Sequence, residues 1–245
     1  MINLRSMETS KINDIISSQK YFLDSKSNTI ESRIVLLKKL LTNIKLFEEE
    51  IYEALSKDLN KAKFESFLTE ILLVEKEIKL FIKNLHRWSK DKKVKASILN
   101  FPSKNYLKPE PYGKVLIITP WNYPFQLSLT PLIGAFSSGN TVIIKPSELA
   151  PNTSSVLGRL IRETFPENIV SVIEGDAEVA KSLLSIKWDY IFFTGSTRVG
   201  KIVASEAAKN LTPITLELGG KSPCIIDKGI DIKKAAKRIV SGKFI

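Results

Sequence analysis

The feature that most constrains the fold is a regular alternation of short apolar runs and amphipathic segments in the second half of the chain. The apolar runs have the length of strands, and we predict strands over residues 114–118, 141–145, 170–173, 190–194, 214–218 and 223–227. Between them, apolar residues recur three and four apart, which predicts helices over residues 126–138, 152–164 and 177–184, one ending near residue 209, and one beginning near residue 231. Apolar strands separated by helices are typical of a parallel sheet covered on both faces, so the predicted fold class is α/β.

The first part of the chain has a different pattern. From residue 8 to about residue 85, apolar side chains recur at helical spacing. Residues 94–113 contain three prolines and alternating apolar residues, which indicates an extended arm or hairpin. We therefore predict an N-terminal helical section, residues 1–93, that packs on an α/β domain, residues 114–245, with the arm between them.

Composition and charge exclude several classes of protein. A net charge of +11 invites a nucleic-acid-binding interpretation. However, lysines occur along every predicted helix, opposite the apolar stripe and mixed with glutamates, so we predict a solvated surface and no nucleic-acid partner. No apolar run approaches the length of a membrane span, which predicts no membrane contact. A single cysteine excludes an intrachain disulfide and favours a cytoplasmic location, and no residue cluster has metal-ligand spacing.

The strand predicted over residues 190–194 turns directly into a helix at Gly195 and Ser196. Such a turn places unpaired backbone N–H groups and the positive end of a helix dipole at one point, which suits the phosphates of a nucleotide. Thr197 occupies the position of the second glycine in the three-glycine dinucleotide fingerprint, so a purely structural turn remains an alternative. We predict that residues 114–245 form a dinucleotide-binding α/β domain.

Polar side chains follow two other predicted strands. Asn122 lies in a turn stiffened by two prolines, where its amide can stabilise an oxyanion or can satisfy the turn's own backbone. Lys145 and Glu148 can hold ribose hydroxyls, or can belong to a plain strand-to-helix turn with Ser147 as the helix cap.

The last predicted strands carry a carboxylate and the cysteine. Glu217 lies between two leucines, which predicts partial burial, an environment that suits a general base; an ordinary surface carboxylate is the alternative. Cys224 lies within the strand predicted over residues 223–227, so we expect it to be an inert, buried thiol.

The order of these motifs resembles the aldehyde dehydrogenase family, and most closely its class 3 branch. The resemblance rests on residues 120–124, 139–148, 193–201 and 211–224, together with 100–102 and 109–113. It implies a Rossmann-like NAD-binding domain, with NAD as the cofactor and NADP as a possibility. Glu148 favours NAD, because a carboxylate accepts from a ribose 2′-hydroxyl and repels a 2′-phosphate.

The resemblance also assigns roles to individual residues. It implies two catalytic residues, with Asn122 as oxyanion donor and Glu217 as general base. It implies ten cofactor-binding residues: Thr119, Trp121, Lys145 and Glu148 (the last two on the adenosine ribose), Gly195 and Ser196 at the pyrophosphate, Val199 and Gly200 at the helix start, and Leu218 and Gly219 near the nicotinamide. In the family, a cysteine thiolate attacks the aldehyde, hydride passes to the cofactor, and glutamate-activated water hydrolyses the thioester.

One element of the family is not found in these residues. The family's Asn-x-Gly-Gln-x-Cys stretch would follow residues 242–245, and Cys224 matches a non-catalytic position. We therefore expect an N-terminal portion that is inactive alone, lacking the catalytic and C-terminal dimerisation parts of an enzyme that acts on a small-molecule aldehyde as a homodimer. Two alternatives remain: a non-catalytic dinucleotide-binding module, and an acyl-phosphate or acyl-CoA reductase of the same superfamily.

Overall fold

The computed structural model describes residues 4–25 and 27–243. Its first part is helical, as predicted, with α1 (Leu4–Leu23), α2 (Ile30–Leu46), α3 (Glu48–Leu59), α4 (Lys63–Ser66), a π-helical turn (Phe67–Ile71) and α5 (Leu72–Trp88). α3 ends because Asn60 adopts a left-handed conformation, with φ of 55°, and its N–H bonds to the carbonyl of Ser56. This ending turns the chain so that Lys61 enters the interior.

The arm contains a short hairpin. Its strands, β1 (Lys92–Val94) and β2 (Asn105–Leu107), pair antiparallel and enclose a single 3₁₀ turn (Ile98–Asn100). The hairpin occupies the region predicted as the arm, although its first strand begins at Lys92, just inside the section predicted to be helical.

A five-stranded sheet forms the centre of the remaining chain. The elements alternate as β3 (Lys114–Ile118), α6 (Gln126–Ser137), β4 (Thr141–Lys145), α7 (Pro151–Thr164), β5 (Val170–Val172), α8 (Ala177–Leu184), β6 (Tyr190–Gly195), α9 (Thr197–Ala208), β7 (Ile214–Leu218) and α10 (Ile232–Lys243). The strand order is β5-β4-β3-β6-β7, and every pairing is parallel. The predicted α/β fold class is confirmed.

Helices cover both faces of this sheet. Along β3, Val115 and Ile117 belong to a core with α2, α3, α5, α6 and α7, whereas Leu116 and Ile118 belong to a second core with α1, α8 and α9. This division follows from the pleat, because successive side chains of a strand point to opposite faces. Each fully buried Leu or Ile contributes about 1.5–3 kcal/mol, so the central strands are strongly held.

The prediction of a strand over residues 223–227 is wrong. The structure has no strand there, and Cys224, expected to be a buried thiol, is exposed. The apolar residues of this segment indicated a strand, but an apolar run is buried only if another element pairs with it or covers it. In the described residues, β7 is the edge of the sheet and pairs only with β6, and none of residues 219–243 is buried.

The strand order creates a crevice at the centre of the sheet. The chain runs outwards from β3 to β4 and β5, then returns to place β6 on the other side of β3. The connections after β3 and β6 therefore leave in opposite directions from adjacent strands. In open α/β sheets, ligands bind at such a point, outside the carboxyl ends of the strands.

Candidate functional site

A cavity of about 680 Å³ lies at the carboxyl ends of β3, β6 and β7. The ends of β6 and β7 contribute residues to its lining, as do the loop after β3 and part of α6. Seven of the residues predicted for the site lie together in this lining: Trp121, Asn122, Gly195, Ser196, Glu217, Leu218 and Gly219. The other five, Thr119, Lys145, Glu148, Val199 and Gly200, lie outside it.

The loop after β3 is fixed by buried hydrogen bonds. The Thr119 N–H donates to the carbonyl of Lys145 at 3.1 Å, and the Thr119 hydroxyl bonds to that of Ser128 at 2.9 Å. Thr119 is therefore buried behind the cavity, where it joins the loop to β4 and α6. Trp121 and Asn122 follow on the exposed side of the loop and line the cavity.

The helix that begins after β6 presents its N-terminus to the cavity. Ser196 caps α9, because its hydroxyl oxygen accepts from the Val199 N–H at 3.3 Å. The first turn of α9 contains no acidic residue, and Arg198 there is exposed. Unpaired N–H groups and the helix dipole make this end attractive to an anion.

Two of the predicted residues act from behind this turn. A Cβ atom on Gly200 would lie 2.7 Å from Cδ2 of Leu218, so the absence of a side chain lets α9 pack closely against β7. Val199 is partly buried against the core that the sheet forms with α1, α8 and α9. They support the cavity wall without lining it.

Lys145 and Glu148 lie at the end of β4, one strand further from the centre. The Lys145 side chain is only 2% exposed, and Nζ donates to the carbonyl of Pro146 at 2.7 Å and to Oε2 of Glu148 at 3.2 Å. Glu148 is about half exposed. The ammonium group thus holds the Glu148 carboxylate in place at the edge of the crevice.

Glu217 lines the cavity but is not buried, so the expectation of partial desolvation by its leucine neighbours is wrong. Leu216 packs against the core, whereas Leu218 is 41% exposed. The reason is the position of β7 at the edge of the sheet, where the described residues provide no layer over Glu217 and Leu218.

Sequence reasoning missed two residues that hold the Asn122 loop. Lys61 Nζ donates to the backbone carbonyl of Asn122 at 3.0 Å and pairs with Glu70 Oε1 at 2.5 Å. Burial raises the pKa of the Glu70 carboxyl, against the opposing effects of Lys61 and of two backbone N–H groups. The sequence did contain a signal for Glu70, because this carboxylate interrupts a stripe of apolar residues that begins at Phe67.

Around one cavity, the chain therefore places an amide, a helix N-terminus and a carboxylate. An amide N–H₂ can donate to a developing oxyanion, a helix N-terminus can bind phosphate, and a carboxylate can accept a proton. Within residues 4–25 and 27–243, no group of three or more His, Cys, Asp and Glu side chains is arranged to hold a metal ion. No helix among the same residues has the length and apolar character of a membrane span.

Comparison with known sequences gives a consistent result. Residues 2–245 match the family described as the aldehyde dehydrogenase family. A 4,4'-diaponeurosporen-aldehyde dehydrogenase of Staphylococcus aureus is 52% identical over 227 residues, which cover 93% of this chain and 50% of that protein. Aldehyde dehydrogenase family 3 member H1 of Arabidopsis thaliana is 43% identical over 232 residues, covering 95% of this chain and 48% of that protein. The chain thus spans about half the length of the curated relatives it matches.

Solved structures of similar proteins share the fold. The substrate-bound state of Staphylococcus aureus AldH has a TM-score of 0.90 and 50% identity, over 95% of this chain and 51% of that one. An NAD+ complex of an aldehyde dehydrogenase from Bacillus cereus has a TM-score of 0.81 and 25% identity, over 94% of this chain and 47% of that one.

Proposed function

Because this chain belongs to the aldehyde dehydrogenase family, we propose that the complete protein oxidises an aldehyde to a carboxylate with NAD or NADP. The observation that carries the proposal is the cavity at the switch point of the sheet, which Asn122, Ser196 and Glu217 line together. They come from the ends of three different strands, as expected for a site assembled at the carboxyl edge of an α/β sheet.

The residues present suit a dinucleotide. The N-terminus of α9 would hold the pyrophosphate, and the close packing of Gly200 against Leu218 keeps that turn near the cavity. Lys145 and Glu148 would hold the adenosine ribose, while Trp121, Leu218 and Gly219 would lie beside the nicotinamide, which accepts a hydride when bound. We propose NAD over NADP, because the Glu148 carboxylate repels a 2′-phosphate.

Asn122 and Glu217 would carry out the chemistry that this chain contributes. The Asn122 carboxamide would donate a hydrogen bond to the oxygen of the reacting carbonyl as negative charge develops on it. The Glu217 carboxylate would accept a proton from the water that hydrolyses the acyl group. Its exposure in this chain leaves it accessible to that water.

We propose that Cys224 is not the nucleophile of this reaction. It lines a different cavity, together with Asp227, Asp231 and residues of α10. These 245 residues contain no other cysteine, so the chain alone should oxidise no aldehyde above background.

The proposed function is tested with the complete gene product. We expect aldehyde-dependent NADH formation that saturates with both substrates, and a panel of aliphatic, aromatic and polyene aldehydes would define the substrate. The polyene aldehyde is included because the name of the Staphylococcus aureus relative specifies 4,4'-diaponeurosporen-aldehyde. No NADH or NADPH formation with any member of the panel would refute the proposal.

A second function remains for the chain as it stands, that of a non-catalytic dinucleotide-binding module. It is favoured by one observation: the helix N-terminus, Lys145 and Glu148 all lie within these residues. Calorimetric titration with NAD tests it, because saturable binding supports the module and no binding at millimolar NAD excludes it. An acyl-phosphate or acyl-CoA reductase is less favoured, since hydrolysis of a thioester needs a base such as Glu217.

Assembly and location are further proposals. Family resemblance favours a homodimer for the complete protein, and light scattering of the purified protein would measure its mass. The single cysteine favours the cytoplasm, where thiols stay reduced. Cell fractionation would test that location.

A further inference from the structure

The loop that carries Asn122 is held from behind by two side chains of the helical section. Lys61 Nζ donates to the Asn122 carbonyl at 3.0 Å. Glu70 Oε2 accepts from the backbone N–H groups of Phe125 and Gln126, at 3.0 and 2.9 Å. The two side chains pair with each other at 2.5 Å, and they are 8% and 0% exposed.

These contacts fix the loop at two points. Glu70 serves as the cap of α6, because Phe125 at the helix start supplies no side-chain cap and the carboxylate satisfies two of the first N–H groups. Lys61 fixes the peptide plane that follows the Asn122 Cα, and the ring of Tyr123, 3.9 Å from Nζ, covers the ammonium group. The carbonyl of Asn122 bonds inwards to Lys61, while the same residue lines the cavity on its other side.

The local sequence provides this arrangement at a cost. Glu70 lies in the π-helical turn between α4 and α5, where its side chain is fully buried. π-helical turns inside helices are frequent at functional sites. A buried ion pair loses hydration that its own attraction does not reliably restore, and well-packed apolar residues often serve stability equally well. The capping of α6 accounts for the Glu70 carboxylate and for a cation beside it. The further bond of that cation to the carbonyl of Asn122 is the contact that links the pair to the site.

We propose that Lys61 and Glu70 are positioning residues, which orient the carboxamide of Asn122 in the cavity through the backbone of its loop. The proposal rests on the proposed function, in which that carboxamide is the oxyanion donor. Neither side chain lines the cavity, so neither would touch a bound substrate directly.

The main test uses the double variant Lys61→Met, Glu70→Gln in the complete protein. It removes both buried charges together and keeps an acceptor for the N–H groups of α6. We expect kcat/KM for the aldehyde to fall about 10- to 100-fold, the range of losses from a small misplacement of a catalytic group. The Kd for NAD should change much less than kcat/KM, because the N-terminus of α9, Lys145 and Glu148 are not held by these two side chains. A matched control is Lys79→Met, Glu75→Gln, which removes an ion pair of 2.7 Å on α5 away from the loop and should change neither value.

A second comparison separates positioning from a merely structural role. In an Asn122→Ala background, the double variant should lower kcat/KM less than about twofold further, because the group that it orients is already absent. A full additional loss in that background would overturn the proposal. Should the double variant not fold, Lys61→Arg keeps the charge beside Glu70 but changes the donor geometry. Lys61→Arg should lower kcat/KM about threefold in the wild-type background and should not lower it in the Asn122→Ala background. A threefold loss in both backgrounds would contradict the proposal.

An activity-independent measurement keeps this proposal distinct from the proposed function. In ¹⁵N-labelled 245-residue chain, the side-chain amide signals of Asn122 can be assigned by their loss in Asn122→Ala. We expect them to shift or split in the double variant and in Lys61→Arg, but not in the Lys79, Glu75 control. Unchanged signals would refute positioning even in an active enzyme, whereas shifted signals in an inactive protein would refute only the proposed function.

Discussion

The two walls of the cavity differ in how they are held. The wall that follows β3 is fixed by buried contacts, with Thr119 bonded to Lys145 and Ser128, and with the Asn122 carbonyl bonded to Lys61. The wall that follows β7 is exposed from Glu217 onwards, and a Cβ on Gly219 would meet no atom within 4 Å. One wall is anchored in the core, and the other is surface.

The two walls differ because the strands that precede them have different positions in the sheet, and not because their residue types differ. β3 is the central strand and has helices on both faces, whereas β7 is at the edge. A central strand positions the loop after it as firmly as the core itself, because buried strands open only with large parts of the fold. A site built across both positions therefore has one side held by buried contacts and one side that is exposed within the described residues.

The largest expected effect is at the fixed wall. In the complete protein, Asn122→Ala should lower kcat about 10²- to 10³-fold, the usual loss when one oxyanion donor is removed. Because the Asn122 side chain is exposed, the melting temperature should stay within the error of the wild-type value. Steady-state kinetics and thermal melts measure both. A loss of less than threefold would remove Asn122 from the chemistry.

At the exposed wall, Glu217→Gln should slow hydrolysis of the acyl group about 10²-fold, which is the lower range for loss of a general base. In the proposed reaction hydride transfer precedes that step, so rapid mixing should show a burst of NADH close to one per active site, followed by slow turnover. Glu174→Gln, an exposed carboxylate outside this cavity, is the control. An undiminished steady-state rate in Glu217→Gln would contradict the role.

Which parts of the fold and of the site could be predicted from the sequence depends on how far apart in the chain the interacting residues lie. The sheet and the Gly195–Ser196 turn were predictable, because an apolar run and the turn after it are local signals. The exposure of Glu217 and Cys224 was not predictable. Leucine or isoleucine neighbours show that a segment is hydrophobic, but they do not show whether another element of the fold covers that segment. The bond from Glu70 to the Phe125 N–H was not predictable either, because it joins residues 55 apart in the chain.

A smaller effect should follow from crowding Leu218 in the exposed wall. Gly200→Ala places a Cβ 2.7 Å from Cδ2 of Leu218, so the Leu218 side chain, which lines the cavity, must shift. We expect NAD affinity to fall roughly fivefold, about 1 kcal/mol. Stability should change little, since the strain is offset by the roughly 1 kcal/mol gain in helix propensity.

Gly134→Ala in α6 is the matched control, because a Cβ there meets no atom within 4 Å. It should leave NAD affinity unchanged and raise stability by about 0.5–1 kcal/mol. Calorimetric titration and denaturant melts give both quantities. Equal NAD affinities in the two variants would show that Leu218 does not limit the cavity.

The smallest effect is expected at Cys224. Since its side chain is exposed, Cys224→Ser should change the free energy of unfolding of the 245-residue chain by less than about 0.5 kcal/mol. In the unchanged chain, a thiol reagent such as DTNB should react with Cys224 without denaturant. If Cys224 reacts with DTNB only after the chain has been unfolded, its thiol is buried and the exposure described here is contradicted.

We propose that a dinucleotide binds where the ends of β3, β6 and β7 meet, and a crystal structure of the chain with NAD would decide the matter. We expect the pyrophosphate on the N–H groups at the start of α9, the adenosine ribose at Lys145 and Glu148, and the nicotinamide in the cavity between Asn122 and Glu217. NAD bound at another surface, or a pyrophosphate away from Gly195 and Ser196, would contradict it.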